Sequence, residues 1–277
     1  MSTIRILCVG DLVGVPGLAM FRKHIPRLRV EHAIDLVMVN GENSAPDGRG
    51  ITPRVAESLK HSGADIITTG NHVWDKKEIY PYLDANTDII RPANFPSGAP
   101  GIGVTTITSA RGHIVGFINI QGRIFMREHV SCPFRTADSI LTYIRTKTPI
   151  IIIDFHAEAT SEKAGLGYYV DGKVSAVVGT HTHVQTADAR ILPGGTAYMS
   201  DLGMGGSLNS MIGMTKEPVL RQFLTQMPTK FMVDTAPPFV LSAVLITIDA
   251  FTGKAVDIKP MAVHDTELHI ETSKGKE

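Results

Sequence analysis

The sequence predicts an α/β fold in which two mixed β-sheets pack together and helices flank them. Three strand–turn–helix units fill the first ninety residues, which argues for a layered α/β arrangement. A hairpin pattern then interrupts the alternation, and apolar runs of strand length return later, so a second sheet is expected. Residues 4–9 form a largely apolar run of the kind that suits a strand covered on both faces. A helix is expected around 18–29, a strand at 35–39, and a helix opening at Pro53 with Thr52 as its N-cap. Residues 65–69 give a third strand and 76–83 a helix. Two strands, 103–108 and 113–120, turn on Arg111-Gly112 as a hairpin. A helix around 136–145 leads to strands at 149–155, 175–179 and 196–199. The last two strands, 239–249 and 255–263, are separated by Phe251-Thr252-Gly253. Residues 200–215, rich in Gly, Ser and Met, read as a long functional or mobile loop. No linker or repeat divides the chain, so residues 1–277 are expected to make one domain.

Composition narrows the function. Lys+Arg and Asp+Glu balance at 27 each, so no overall field favours nucleic acid or an anionic membrane as a standing partner. Any attraction for an anionic substrate must be local. Cys8 and Cys132 are far apart and lack CxxC spacing, which excludes a thiolate zinc site and a disulfide framework. The start MSTIRILCVGDLVG has no leader pattern, and no apolar run approaches a membrane span. A cytoplasmic protein is expected. A homo-oligomer stays open.

Polar clusters follow the apolar strands. The first strand ends in Gly10-Asp11, the second in Asn40-Gly41-Glu42-Asn43, and the third in Gly70-Asn71-His72. Residues 150–155 end in His156, and 175–179 in Thr180-His181-Thr182-His183. Ligands of open α/β sheets bind outside the carboxyl ends of the strands, so these groups are expected to converge. Each cluster alone has an ordinary explanation. Asp11, Asn43 and Asn71 suit turns, and a lone His156 suits a core. His181 and His183 share one face if their segment is extended. Five strand ends each presenting an oxygen or imidazole donor are harder to explain as turn chemistry.

Carboxylate, amide and imidazole donors suit iron, manganese or zinc. With only Asp11 and Glu42 ionised, about −2 of ligand charge meets two divalent cations, leaving a positive site suited to a phosphate ester. Two metals about 3.5–4 Å apart can activate a bridging hydroxide and clamp phosphoryl oxygens. Glu42 is the natural bridge.

The ordered set GD…GEN…GNH…H…GTHTH resembles the calcineurin-like metallophosphoesterases. Two departures mark a branch: Asp11-Leu12-Val13 replaces the usual DxH, and Gly41-Glu42-Asn43 the usual GD. NGENSA, TTGNHVWD, the CPF segment at 132–134, SAVVGTHTHVQTAD and the SDLGM…IGM segment resemble the YmdB-like family of 2′,3′-cyclic nucleotide phosphodiesterases, nearly end to end. The resemblance implies a four-layer αββα sandwich. It implies one metal on Asp11, Glu42, Asn43 and His183, a second on Glu42, Asn71, His156 and His181, and His72 as proton donor to the leaving oxygen. Iron is the metal it implies, and cyclic nucleotides or other phosphoesters are the substrates.

Other functions compete. A phosphomonoesterase or nucleotidase would use the same metal pair, and a non-catalytic regulatory protein would have no use for His72 beside a ligand. An amidohydrolase would place its HxH on the first strand, whereas here it falls at 181–183. Among the remaining histidines, His24, His32 and His61 are expected to be solvated, and His113 and His269 have no expected role. His129 and His264 lie near loops that could fold over the site, and neither is counted as a ligand. Trp74 is expected to be a core anchor rather than a base-stacking platform.

Overall fold

Alternating side chains send each central strand's residues into two different cores, and this sets the layers. In the computed structural model, residues 2–270 are described. The first third runs β1 (Thr3–Val9), β2 (Asp11–Leu12), α1 (Gly14–Glu31), β3 (Leu36–Asn40), α2 (Pro53–His61), β4 (Ile66–Thr68), α3 (Ile79–Ala85) and β5 (Ile89–Ile90). The middle runs β6 (Val104–Thr108), β7 (Ile114–Gln121), α4 (Pro133–Ile144), β8 (Ile151–His156), α5 (Thr160–Tyr169) and β9 (Ala176–Thr180). The rest is β10 (Arg190–Ile191), β11 (Ala197–Met199), β12 (Met204–Ser207), α6 (Lys216–Thr225), β13 (Phe239–Asp249) and β14 (Ala255–Asp265).

One sheet has the order β2-β12-β13-β1-β3-β4-β5, with β14 paired to β13; the other has the order β10-β11-β9-β8-β7-β6. Parallel pairing joins β1, β3, β4 and β5, and likewise β7, β8, β9 and β11. Ile4, Ile6 and Cys8 of β1 enter the core between the sheets, with Phe117, Ile152 and Val178 from the other side. Leu7 and Val9 point the opposite way, onto Phe21 and Ile25 of α1 and Leu59 of α2. Ile118, Ile151 and Ile153 pack outward on Leu141 of α4 and Leu166 of α5. The layers are therefore helix, sheet, sheet, helix, as expected. The Thr52 side chain accepts from the Val55 N–H at 3.2 Å, and Pro53 opens α2. Among the described residues no helix is long and apolar enough to cross a membrane.

The 200–215 segment differs from its expected loop. Its residues Met204–Ser207 form β12, buried throughout between β2 and β13. The glycines that read as flexibility serve close packing: a Cβ on Gly205 would lie 2.6 Å from a Leu12 methyl. Helices α5 and α6 carry little amphipathic signal, and of α6 only Val219 is buried.

Close backbone approach also fixes β9. A Cβ on Gly179 would lie 1.8 Å from the Ser200 carbonyl oxygen. Gly179→Ala must push the two backbones apart, at a cost of about 1–3 kcal/mol. Urea denaturation should show this as a lower midpoint; an unchanged midpoint would mean the contact yields freely.

Candidate metal centre

The carboxyl ends of β3, β4, β8 and β9 and the start of β2 meet at one edge of the sandwich. All seven expected donors gather there, with His72 beside them. His156 Nε2 lies 3.1 Å from Glu42 Oε1, 2.9 Å from Asn71 Oδ1 and 3.1 Å from His181 Nδ1. Glu42, His156 and His181 can each aim one donor atom within 4.8 Å of the others. On the other flank, Asn43 Nδ2 lies 3.1 Å from Glu42 Oε1 and 3.2 Å from His183 Nε2. His183 Nε2 is 3.8 Å from Asp11 Oδ1. Asp11, Glu42 and His156 are fully buried.

The surroundings turn the three imidazoles the same way. Thr180 Oγ1 donates to Asp154 Oδ1 at 2.7 Å, so it accepts from His156 Nδ1 at 2.9 Å. His183 Nδ1 donates to the Ile212 carbonyl at 3.0 Å. His181 Nε2 faces the Glu158 carboxylate at 3.1 Å. Each ring thus spends one N–H on an outer acceptor and turns its other nitrogen inward. His156 Nε2 meets Glu42, Asn71 and His181 at once, and the one proton it can carry there cannot satisfy all three acceptors. Asp11 Oδ1 is buried without any hydrogen-bond partner. These donors fit divalent cations, which would satisfy both features.

The electrostatics agree. Burial drives the Asp11 carboxyl well above the ordinary carboxylate range, against the pull of His183 and His156. Burial also opposes ionisation of Glu42, but the charge and hydrogen bond of His156 outweigh it and hold Glu42 below its usual value. Burial would lower His156, yet the Glu42 charge and hydrogen bond raise it to about 9. Burial, and then the His156 charge, push His181 down to about 3.

Local backbone differs from one expectation. The 181–183 segment is not extended: β9 ends at Thr180, and His181 and His183 adopt φ of 98° and 64°. Such conformations cost about 1–3 kcal/mol each and persist only where the surroundings impose them. Here they do. The His181 N–H donates to Asp11 Oδ2 at 3.1 Å and the Thr182 N–H to Asp201 Oδ2 at 3.0 Å. Lys163 Nζ donates to the same Asp201 oxygen at 2.7 Å and to the Thr180 carbonyl at 2.8 Å. Gly70 does not adopt a positive φ, and its role is space. A Cβ there would stand 2.3 Å from the His156 ring and 2.4 Å from Glu42 Oε2.

His72 stands outside the crowded lone pairs. Its N–H donates to Glu42 Oε2 at 3.1 Å, and its ring Nδ1 lies 3.0 Å from Asp75 Oδ2. Sequence reasoning missed Glu158, Lys163 and Asp201; only Glu158, two residues past His156, sits where proximity could have flagged it. His24 is a correction. It is buried, not solvated, and its Nε2 lies 2.8 Å from Asp265 Oδ2, tying α1 to β14. His32 is half-buried, His61 exposed, and His129 and His264 are exposed. Trp74 packs edge-on against Tyr80 and Phe95, as a core anchor does.

The sequence model of the YmdB-like protein family matches residues 7–261. The chain belongs to the YmdB-like family. A Bacillus subtilis protein named 2′,3′-cyclic-nucleotide 2′-phosphodiesterase is 47% identical to this YmdB-like chain over 268 residues, 97% of the chain and 100% of that protein. The structure of a novel phosphatase from Mycoplasma pneumoniae superposes with a TM-score of 0.89 at 30% identity, covering 96% of this chain and 95% of that one. The calcineurin-like phosphoesterase YfkN of Bacillus subtilis shares the fold, with a TM-score of 0.56 at 13% identity over 94% of this chain and 90% of that one. This YmdB-like chain is thus a phosphoesterase by family, with a calcineurin-like fold.

Metal uptake should compete with protons. His156 holds a proton at neutral pH because its pKa is raised to about 9, and a metal needs the neutral ring. Binding then expels that proton, and below about pH 7 one from Asp11 as well, so affinity should climb at least about tenfold per pH unit between pH 6 and 8. Chelator competition across that range measures it. A flat profile would show that no donor of the site gives up a proton to a metal.

Proposed function

We propose that the chain is a dinuclear-metal phosphodiesterase acting on 2′,3′-cyclic nucleotides. The observation that carries this reading is the arrangement of three imidazoles, each with one ring nitrogen turned inward, around the buried Glu42 carboxylate. Asp11, Glu42, Asn43 and His183 would hold one metal, and Glu42, Asn71, His156 and His181 the other. The orphaned Asp11 Oδ1 supports the first set, and the contacts of His156 Nε2 support the second. Iron is the metal the family resemblance implies, and manganese or zinc suits the same donors. When bound, the pair supplies Lewis acidity toward the phosphoryl oxygens and activates water for in-line displacement.

The residues of the chain supply the rest. Asp75 Oδ2 accepts from His72 Nδ1 at 3.0 Å, which orients the ring, and the transferable proton is the one that the imidazolium form carries on Nε2. His72 then protonates the departing ribose oxygen as the phosphorus–oxygen bond breaks. The name of the Bacillus subtilis relative points to the 2′ oxygen as that group. A second reading, a phosphomonoesterase, draws on the relatives from Mycoplasma, one titled a phosphatase and another named a putative phosphatase/phosphodiesterase.

Two experiments test this. Anaerobically purified protein should carry close to two transition-metal ions per chain, and His181→Ala should lose at least one. The loaded enzyme should hydrolyse 2′,3′-cyclic nucleotides with little preference among bases. Fast turnover of monoesters with none of cyclic diesters would establish the second reading instead.

His72 is separable from metal binding. His72→Ala should keep its metals and lose about 10²–10⁴-fold in kcat on substrates with poor leaving groups. An activated aryl phosphodiester, whose leaving group needs no proton, should slow far less. Loss of metal, or equal slowing of both substrate types, would remove the proton-donor role.

A further inference from the structure

A cavity of about 430 Å³ opens beside the proposed centre, lined by Asn71, His72 and His181 on one side and by Arg49, Phe125 and Arg127 on the other. That volume falls within the range of small-molecule sites. At its lip Phe125 is 85% exposed, and its backbone has a φ of 63°. Both features are unfavourable for a large aromatic side chain, and its ring packs into none of the hydrophobic cores of the described residues.

The segment carrying Phe125 is nonetheless firmly held. The Gly122 N–H donates to the His156 carbonyl at 2.9 Å, tying the segment to the strand that presents His156. The next two amides, of Arg123 and Ile124, donate to the carboxylate of Glu162 at 3.0 to 3.1 Å, and Glu162 is buried in the first turn of α5. Further on, Gln121 Nε2 donates to Glu128 Oε2 at 2.9 Å. A buried carboxylate is thus committed to fixing the two residues before an exposed, left-handed phenylalanine. Strain that the surroundings impose in this way concentrates where a ligand is engaged.

We infer that this cavity is a nucleobase subsite, with Phe125 as the stacking platform and Arg49 and Arg127 as donors to the base edge or the phosphate. The inference rests on the cyclic-nucleotide reading of the neighbouring centre. A fixed aromatic face binds any base through its π system, which provides affinity with little discrimination among bases. A second cavity lies across the centre, where Met211, Ile212, Met214, Phe223 and Phe231 form an apolar wall and Arg49 and Gln222 also contribute. Its exposed lining is mostly apolar, so much of a base's polar edge would lie against carbon, which is costly. The first cavity, with Arg127 as well as Arg49 on its wall, suits a base better.

Calorimetry on the metal-loaded full chain tests the subsite by comparing adenosine 3′-monophosphate with ribose 5-phosphate, which lacks a base. The wild-type protein should prefer the nucleotide by about tenfold. Phe125→Ala should erase that preference, and Phe125→Tyr should keep it. With 2′,3′-cyclic AMP as substrate, Phe125→Ala should lose about tenfold in kcat/KM, with the loss falling on KM. An undiminished nucleotide preference in Phe125→Ala, or its loss in Phe223→Ala instead, would overturn the assignment. If the wild-type enzyme cleaves other phosphodiesters but no cyclic nucleotide, the proposed substrate is wrong. The binding comparison still decides the subsite: a nucleotide preference that depends on Phe125 upholds it, and the absence of any preference overturns it.

Discussion

Glu42 is an ionised carboxylate with no access to solvent, and the edge of the sandwich is built around that constraint. Removing such a group from water costs several kcal/mol unless partners surround it. Glu42 receives the Asn43 amide, the His72 backbone N–H and the His156 ring. Each partner comes from a different strand end or from the turn Glu42 itself occupies. The position of the carboxylate therefore dictates how β3, β4 and β8 terminate. Gly70 follows from the same demand, since any side chain there would displace the carboxylate or the imidazole.

The second structural demand is the turn after β9, where two histidines occupy left-handed conformations. Its stabilisation comes from both sheets. Asp11 belongs to the sheet of β1, whereas Lys163 and Asp201 flank the other sheet and form an ion pair that is almost wholly buried. A buried pair of this kind contributes little net stability, and breaking it by removing one partner is expensive. Here it also determines geometry, because one Asp201 oxygen accepts both from Lys163 and from the Thr182 amide between the two histidines.

The layers and the gathering of polar strand ends at one edge were legible in the sequence for a shared reason. Parallel strands buried on both faces read as apolar runs, and the polar groups that end them stand out against that background. Asp11, Glu42, Asn71, His156 and His181 could be assigned to one place because strand polarity brings carboxyl ends together. Features that depend on distant partners were not legible. The burial of His24 requires Asp265, more than two hundred residues away. The glycines of β12 look like a loop until Leu12 and Leu241 are packed against them. The turn at His181 cannot be read from HxH spacing, because Asp11, Lys163 and Asp201 impose its dihedrals from outside the motif. Glu158, which orients His181, carried no signal beyond its nearness to His156.

The order of the donors along the chain has its own consequence. The four that lie between residues 11 and 71 are all oxygen donors, from two carboxylates and two amides, and the three between 156 and 183 are all imidazoles. One of the contacts that join the two groups, from the His181 N–H to Asp11, spans 170 residues. On the proposed assignment, a nascent chain first displays an oxygen-only half-site, whose donors suit hard cations such as magnesium or calcium. On that assignment, preference for a transition metal would arrive only when the histidine turn docks, about two-thirds of the way along the chain. Metal choice would then be coupled to folding, because the first residues to emerge do not hold it alone.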